Sequence, residues 1–82
     1  MENEILTDDI SEAVKAVNKL RLDNKEQWVF TTVLFKGSVL RLKTFGTSIQ
    51  VIRLNGIDHH SQWDISVKEF KQAITDCLKT LN

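Results

Sequence analysis

Residues 27–54 constrain the fold more than any other part of the chain. They read QWVFTTVLFKGSVLRLKTFGTSIQVIRL, which is three short runs rich in β-branched and aromatic residues, separated at Gly37 and Gly46. Runs of this kind, divided by glycine-containing turns, are typical of consecutive antiparallel strands. We predict strands over Gln27–Lys36, Ser38–Phe45 and Ser48–Leu54.

A helix is predicted on either side of these strands. Ser66 and Glu69 fit a capping box, in which each side chain satisfies an otherwise unpaired backbone amide, so the second helix begins there and continues toward residue 82. Residues 1–6 are expected to form a loose N-terminus. The first helix is predicted over residues 8–22, where these apolar residues share one helical face: Ile10, Ala13, Val14, Val17 and Leu20.

Two interpretations remain open for the segment between the third strand and the second helix. Asn55-Gly56 is a turn dipeptide that favours left-handed backbone. It leads either into a short fourth strand through Ile57 to Trp63 or into a loop. A fourth strand would add Trp63 to the sheet, and Trp63, which lies just before the capping box, is expected to close the sheet against the last helix.

The predicted fold class is therefore α+β, with the order α-β-β-β-(β)-α. Residues 1–82 are expected to form a single domain, in which an antiparallel sheet of three or four strands carries both helices on one face. A chain of 82 residues buries only about 60% of the surface that it exposes when unfolded. One small core is the most that it can build.

The balance of charges and the single cysteine argue against several kinds of partner and site. Eleven basic and eleven acidic side chains cancel, so no long-range field attracts phosphates or acidic partners. Cys77 is the single cysteine, which excludes an intramolecular disulfide and a cysteine-based zinc site. The sequence has no apolar run of about 18 residues and no signal-peptide pattern. We expect a cytoplasmic protein without a membrane partner.

The two faces of the sheet follow from the predicted turns. Two-residue turns at Gly37-Ser38 and Gly46-Thr47 pair residue 36 with 39 and residue 45 with 48. One face is then almost purely aliphatic and forms the floor for both helices. Its residues are Val29, Val33, Phe35, Leu40, Leu42, Ile49 and Val51.

The opposite face keeps a surplus of apolar side chains, Leu54 among them, whereas a solvated sheet face is normally polar. A large exposed apolar patch with a charged rim marks a protein-binding or dimer surface. The competing interpretation is a register slip, or coverage of this face by the first helix. The predicted partner-binding residues are Trp28, Phe30, Leu34, Arg41, Lys43, Phe45 and Ile52.

The sequence contains no recognisable catalytic motif. The sequence has no glycine-rich phosphate loop, no GxSxG and no HExxH. His59 and His60 follow Asp58, but adjacent side chains of a strand point to opposite faces, so the two rings do not converge on one ion. We expect no enzymatic activity, no cofactor, no metal and no small-molecule substrate.

Two functions remain as hypotheses. The first is a small non-enzymatic protein-interaction module that binds a partner protein, or itself as a homodimer, through the apolar sheet face. Such a module suits an accessory regulator or inhibitor; a phage or mobile-element source is a guess that no residue specifies. The alternative is a nucleic-acid-binding domain, in which Arg41 and Lys43 lie beside Trp28, Phe30 and Phe45.

The helix, three strands, helix order is similar to that of double-stranded-RNA-binding domains. The resemblance is one of topology and covers most of the chain. It implies phosphate contacts from a lysine cluster at the start of the last helix. Here the stretch from Ser66 to Lys71 supplies only Lys68 and Lys71, separated by Glu69, so the sequence departs from that family's pattern where phosphate binding would occur.

Overall fold

The computed structural model describes residues 2–58 and 61–81. Five strands form one sheet in sequence order; β1 runs parallel to β2, and the other neighbours are antiparallel. The predicted α+β class, with two helices and a sheet, is confirmed. The elements in chain order are β1 (Glu2–Thr7), α1 (Ile10–Asp23), β2 (Val29–Phe35), β3 (Ser38–Phe45), β4 (Ser48–Leu54), β5 (Ser61–Gln62) and α2 (Val67–Thr80).

Both helices cover the aliphatic face of the sheet, as predicted. Ala13 and Val17 of α1 and Phe70, Ile74 and Leu78 of α2 have no exposed surface. They pack in one cluster with the aliphatic side chains of β2, β3 and β4. Burying an aliphatic or aromatic side chain of this size contributes about 1.5–3 kcal/mol, so this layer supplies most of the stabilising free energy.

A buried arginine joins the two helices. The Arg21 guanidinium lies 5.3 Å from the centroid of the Phe70 ring, and Arg21 is 9% exposed. Its Nε and Nη2 donate hydrogen bonds to Asn18 Oδ1, at 3.0 and 2.8 Å. The cation therefore has an aromatic ring and a neutral amide as neighbours, and no carboxylate of the described residues forms an ion pair with it.

The N-terminal segment differs from its prediction. The sequence predicts a loose terminus over residues 1–6, but Glu2–Thr7 forms β1, which places Ile5 opposite Val33. Ile5 packs against the core, whereas Leu6 is 81% exposed. The strand depends on backbone pairing with a distant segment, and α1 provides the crossover that parallel strands require. Local apolar periodicity carries no signal for such pairing.

The first hairpin turns one residue earlier than predicted. Phe35 pairs with Ser38, so the turn residues are Lys36 and Gly37, both with positive φ (51° and 79°). Positive φ at both central positions is the geometry that matches the twist of a hairpin. The change slides β3 by two residues along β2, and because two is an even number every side chain keeps its predicted face. The predicted pairing of Phe45 with Ser48 is confirmed.

A β-bulge in β4 moves Leu54 to the core. Arg41 pairs with Arg53 while Leu42 pairs with Val51, which leaves Ile52 as the extra residue. A bulge changes the alternation of the strand beyond it. Leu54, predicted on the face opposite the helices, is consequently 4% exposed and belongs to the core cluster.

The segment before α2 does contain a fourth antiparallel strand, but only a short one. Ser61–Gln62 forms β5 and pairs with Gln50 and Ile49 of β4. The Asp64 amide donates to Ser48 Oγ at 3.0 Å, which fixes the chain where it leaves the sheet. Trp63 follows β5 directly, and its ring contacts that of Trp28 beside β2.

The predicted capping box of α2 is present. The Glu69 amide donates to Ser66 Oγ at 3.1 Å, and the Ser66 amide donates to Glu69 Oε1 at 3.2 Å. The hydrogen bonds from the Ser66 side chain and backbone hold the pKa of Glu69 below its ordinary value of 4.5. A lowered folded-state pKa gives stabilisation that is present above the ordinary pKa and lost as the pH falls through the lowered one.

Ser66→Ala is expected to lower the free energy of unfolding by about 1 kcal/mol at neutral pH, because it removes one capping hydrogen bond. It should also return the pKa of Glu69 toward 4.5. Urea denaturation and an NMR titration of the Glu69 carboxyl measure the two effects. The control is Ser11→Ala. Ser11 is exposed in the first turn of α1, and it bonds to Asp9 through its backbone amide and not through its side chain. Equal loss in both variants would contradict the assignment.

Candidate interaction face of the sheet

The candidate site is the sheet face opposite the helices, here called the open face. Both helices pack on the other side of the sheet. On the open face Phe30 and Phe45 are each 39% exposed and Ile52 is 38% exposed. Alternation along β2 and β3 adds these side chains: Thr32, Leu34, Val39, Arg41 and Lys43. Trp28, the residue before β2, joins the face through its contact with Phe45.

An aromatic cluster occupies one end of the open face. The Trp28 ring centroid lies 5.3 Å from that of Phe45 and 5.8 Å from that of Trp63. The ring planes are inclined at 53° and 88°, arrangements that aromatic quadrupoles favour over flat stacking. Trp28 is half-buried by these contacts, whereas Trp63 remains 56% exposed. The cluster thus presents a fixed aromatic surface.

Lys43 joins this cluster through two cation–π contacts. Its Nζ lies 4.8 Å from the Trp28 centroid and 5.7 Å from the Phe30 centroid. The negative faces of both rings attract the ammonium group, which keeps the side chain on the sheet surface instead of extended into solvent. A positive charge is therefore embedded among the aromatic rings.

A shallow groove continues the face beside Phe30. Phe30, Thr32, Arg41 and Ile52 line this depression of about 140 Å³. Arg41 and Thr32 also line a neighbouring hollow with Glu4 of β1, which places an acidic residue beside this guanidinium. The groove places a guanidinium next to exposed apolar surface.

The other end of the face is aliphatic. Leu34 lies between Leu6 on one side and Val39 on the other in the strand pairing. Leu34 and Val39 are half-buried, and Leu6 is 81% exposed. β1 thus extends the face by one strand beyond what the sequence predicted.

All seven residues predicted for partner binding lie on the open face. Four of them, Trp28, Phe30, Lys43 and Phe45, form the contacting cluster. Arg41 and Ile52 border Phe30 along the groove, and Leu34 lies apart at the aliphatic end. Leu6 is missing from the predicted set because the sequence does not predict β1. Trp63 is predicted on the face only for the case of a fourth strand, which β5 satisfies.

The sequence also raised Cys77, His59 and His60 as candidates for nucleophilic or metal-binding chemistry. Burial, and then the neighbouring Asp76 charge, raise the pKa of the half-buried Cys77 thiol, which keeps the thiol protonated at neutral pH. His59 and His60 lie outside the described residues, so the predictions about them stay predictions. Residues 2–58 and 61–81 contain no group of three or more His, Cys, Asp or Glu side chains arranged to hold a metal ion. Their helices are too short and polar to span a membrane.

Comparisons with protein-family models, with curated proteins and with solved structures gave no match for this chain.

Proposed function

We propose that the chain is a small protein-interaction module that binds a partner protein through the open face. One observation carries the proposal. Eight large apolar side chains are exposed in the described residues, and five of them belong to this face: Leu6, Phe30, Phe45, Ile52 and Trp63. Removing apolar surface from water contributes about 25 cal/mol per Å², so an uncovered patch of this kind favours association.

The charges of the open face favour a different protein over a second copy. Arg41 and Lys43 lie within the face, whereas Glu4 is at its edge strand. Two copies packed face to face would bring these cations toward one another, and like charges at an interface are unfavourable. A partner with acidic residues around an apolar projection complements the face. Such a module suits a regulator or inhibitor that acts by covering its partner's surface.

Site-specific photocrosslinking tests this proposal. A photoreactive phenylalanine analogue replaces Phe45, which is 39% exposed on the open face, or Val67, which is 44% exposed on α2. In extract of the source cell, the analogue at position 45 is expected to give a discrete protein adduct that position 67 does not give. The two positions have similar exposure, so non-specific labelling affects both equally.

The mass of the adduct separates the outcomes. An adduct containing a different protein supports the proposal, and one of twice the chain mass replaces the partner with a second copy. Equal labelling from both positions, or none from position 45, would contradict the proposal.

A second candidate is binding of single-stranded nucleic acid. The observation that favours it is the Lys43 ammonium between Trp28 and Phe30, because bases stack on aromatic rings while cations contact the backbone. An oligothymidylate should then quench Trp28 and Trp63 fluorescence, with an affinity that falls steeply as salt is raised. Absence of quenching leaves the protein partner as the proposal.

A further inference from the structure

A second surface lies on the opposite side of the molecule, between α1 and α2. We call it the helix groove. It is an open groove with a volume of about 790 Å³, and its apolar floor includes Ile10, Val14 and Leu22. Ile10 and Val14 are half-buried against the core, but Leu22 is 46% exposed, although it lies on a helix that packs on the sheet.

Lysines rim the helix groove on both walls. Lys15 and Lys19 come from α1, and Lys71 and Lys79 come from α2. Asp23 is the acidic residue of the lining, and its carboxylate lies 3.3 Å from Lys19 Nζ. The other three lysines form no ion pair with any residue in the described ranges. A chain whose net charge is zero therefore concentrates positive charge along one apolar groove.

The geometry points to an acidic amphipathic helix of a partner protein as the occupant of the helix groove. An apolar stripe flanked by glutamates or aspartates would cover the floor and pair with lysines on both walls, which is the helix-in-groove mode of recognition. α1 has 14 residues and is about 21 Å long, which matches an occupant helix of about four turns.

Other occupants fit the groove less well. Small-molecule sites enclose most of their ligand, whereas the rim lysines and Leu22 are exposed. A second copy that docked through the same groove would place lysine against lysine. This inference does not rest on the function proposed for the open face, because the helices and the sheet separate the two surfaces.

A peptide titration tests the inference on the complete 82-residue chain. The probe is a helical peptide of about 15 residues with leucines at i, i+3, i+4 and i+7 and glutamates on both flanks. Its matched control carries glutamine in place of every glutamate. Amide NMR should show shifts at Val14, Lys15, Leu22 and Thr75, with Phe30 and Phe45 unchanged. The glutamate peptide should bind at least about tenfold more tightly than the glutamine peptide.

Variants of the chain separate charge from packing. Lys15→Glu combined with Lys71→Glu should lower the affinity for the acidic peptide by about tenfold. Lys68→Glu, the same change on α2 outside the groove, should have little effect. Leu22→Ala should lower the affinity for the acidic peptide by about fivefold, because the substitution removes the exposed part of the apolar floor. The amide spectrum of each free variant confirms that it is folded.

Three results would overturn the inference. The groove residues would show no shift at about 1 mM peptide, the two peptides would bind equally, or the shifts would be confined to the open face. Groove shifts produced by dodecanoate and not by the acidic helix would instead assign a long-chain carboxylate. Groove shifts that change on dilution of the chain alone would assign a second copy.

Discussion

Phe70→Ala is expected to remove most of the stability of the fold. Phe70 has no exposed surface, packs in the core between α2 and the sheet, and carries the Arg21 guanidinium over its ring. Truncating a buried phenylalanine costs about 3–5 kcal/mol. An 82-residue domain has a total stability of about 4–12 kcal/mol, so the variant is expected to be partly or fully unfolded at 37 °C.

Urea denaturation followed by tryptophan fluorescence and by circular dichroism measures this effect. Leu22→Ala is the matched control, since Leu22 also lies on a helix but is 46% exposed. It should cost less than about 1 kcal/mol. A Phe70→Ala midpoint close to that of the control would mean that α2 does not close the core.

Trp28→Ala is expected to have the largest effect on partner binding. Trp28 is the centre of the aromatic cluster, in contact with Phe45, Trp63 and Lys43. Its removal also frees Trp63 and the lysine from their fixed positions. Truncating a central aromatic residue of an interface typically costs about 2 kcal/mol or more of binding free energy, which lowers the affinity by about 30-fold.

The crosslinking yield from position 45 reports this loss, measured over a dilution series of the chain. Val67→Ala, exposed to a similar extent on α2, should leave the yield unchanged. The amide spectrum of Trp28→Ala separates loss of binding from loss of fold. A folded Trp28→Ala chain that crosslinks as well as the parent would exclude the aromatic cluster as the binding centre.

The faces of the central strands could be predicted because they depend only on alternation. The first hairpin turns at Lys36-Gly37 instead of Gly37-Ser38, yet the displacement is an even number of residues. Phe30, Arg41, Lys43 and the other candidate residues therefore kept their predicted face. A one-residue slip would have moved all of β3 to the other side.

Other features depended on information that no local pattern contains. β1 exists because residues 2–7 pair with β2 across an intervening helix. The bulge at Ile52 reflects a mismatch between two strands, and it transferred Leu54 from the predicted binding face to the core. Trp63 could be assigned only after the short β5 pairing was known. Each of these positions is decided by a partner segment rather than by its own neighbours.

The contact that Arg21 makes at the junction of α1 and α2 does not depend on an acidic side chain, so acidification does not remove its partner. A buried arginine commonly faces an aspartate or glutamate, and acidification then removes the counter-charge. Here the guanidinium rests on Phe70 and bonds to the Asn18 amide, neither of which titrates. The α2 capping box weakens as Glu69 takes up a proton, whereas the contact of Arg21 with Phe70 and Asn18 includes no carboxylate.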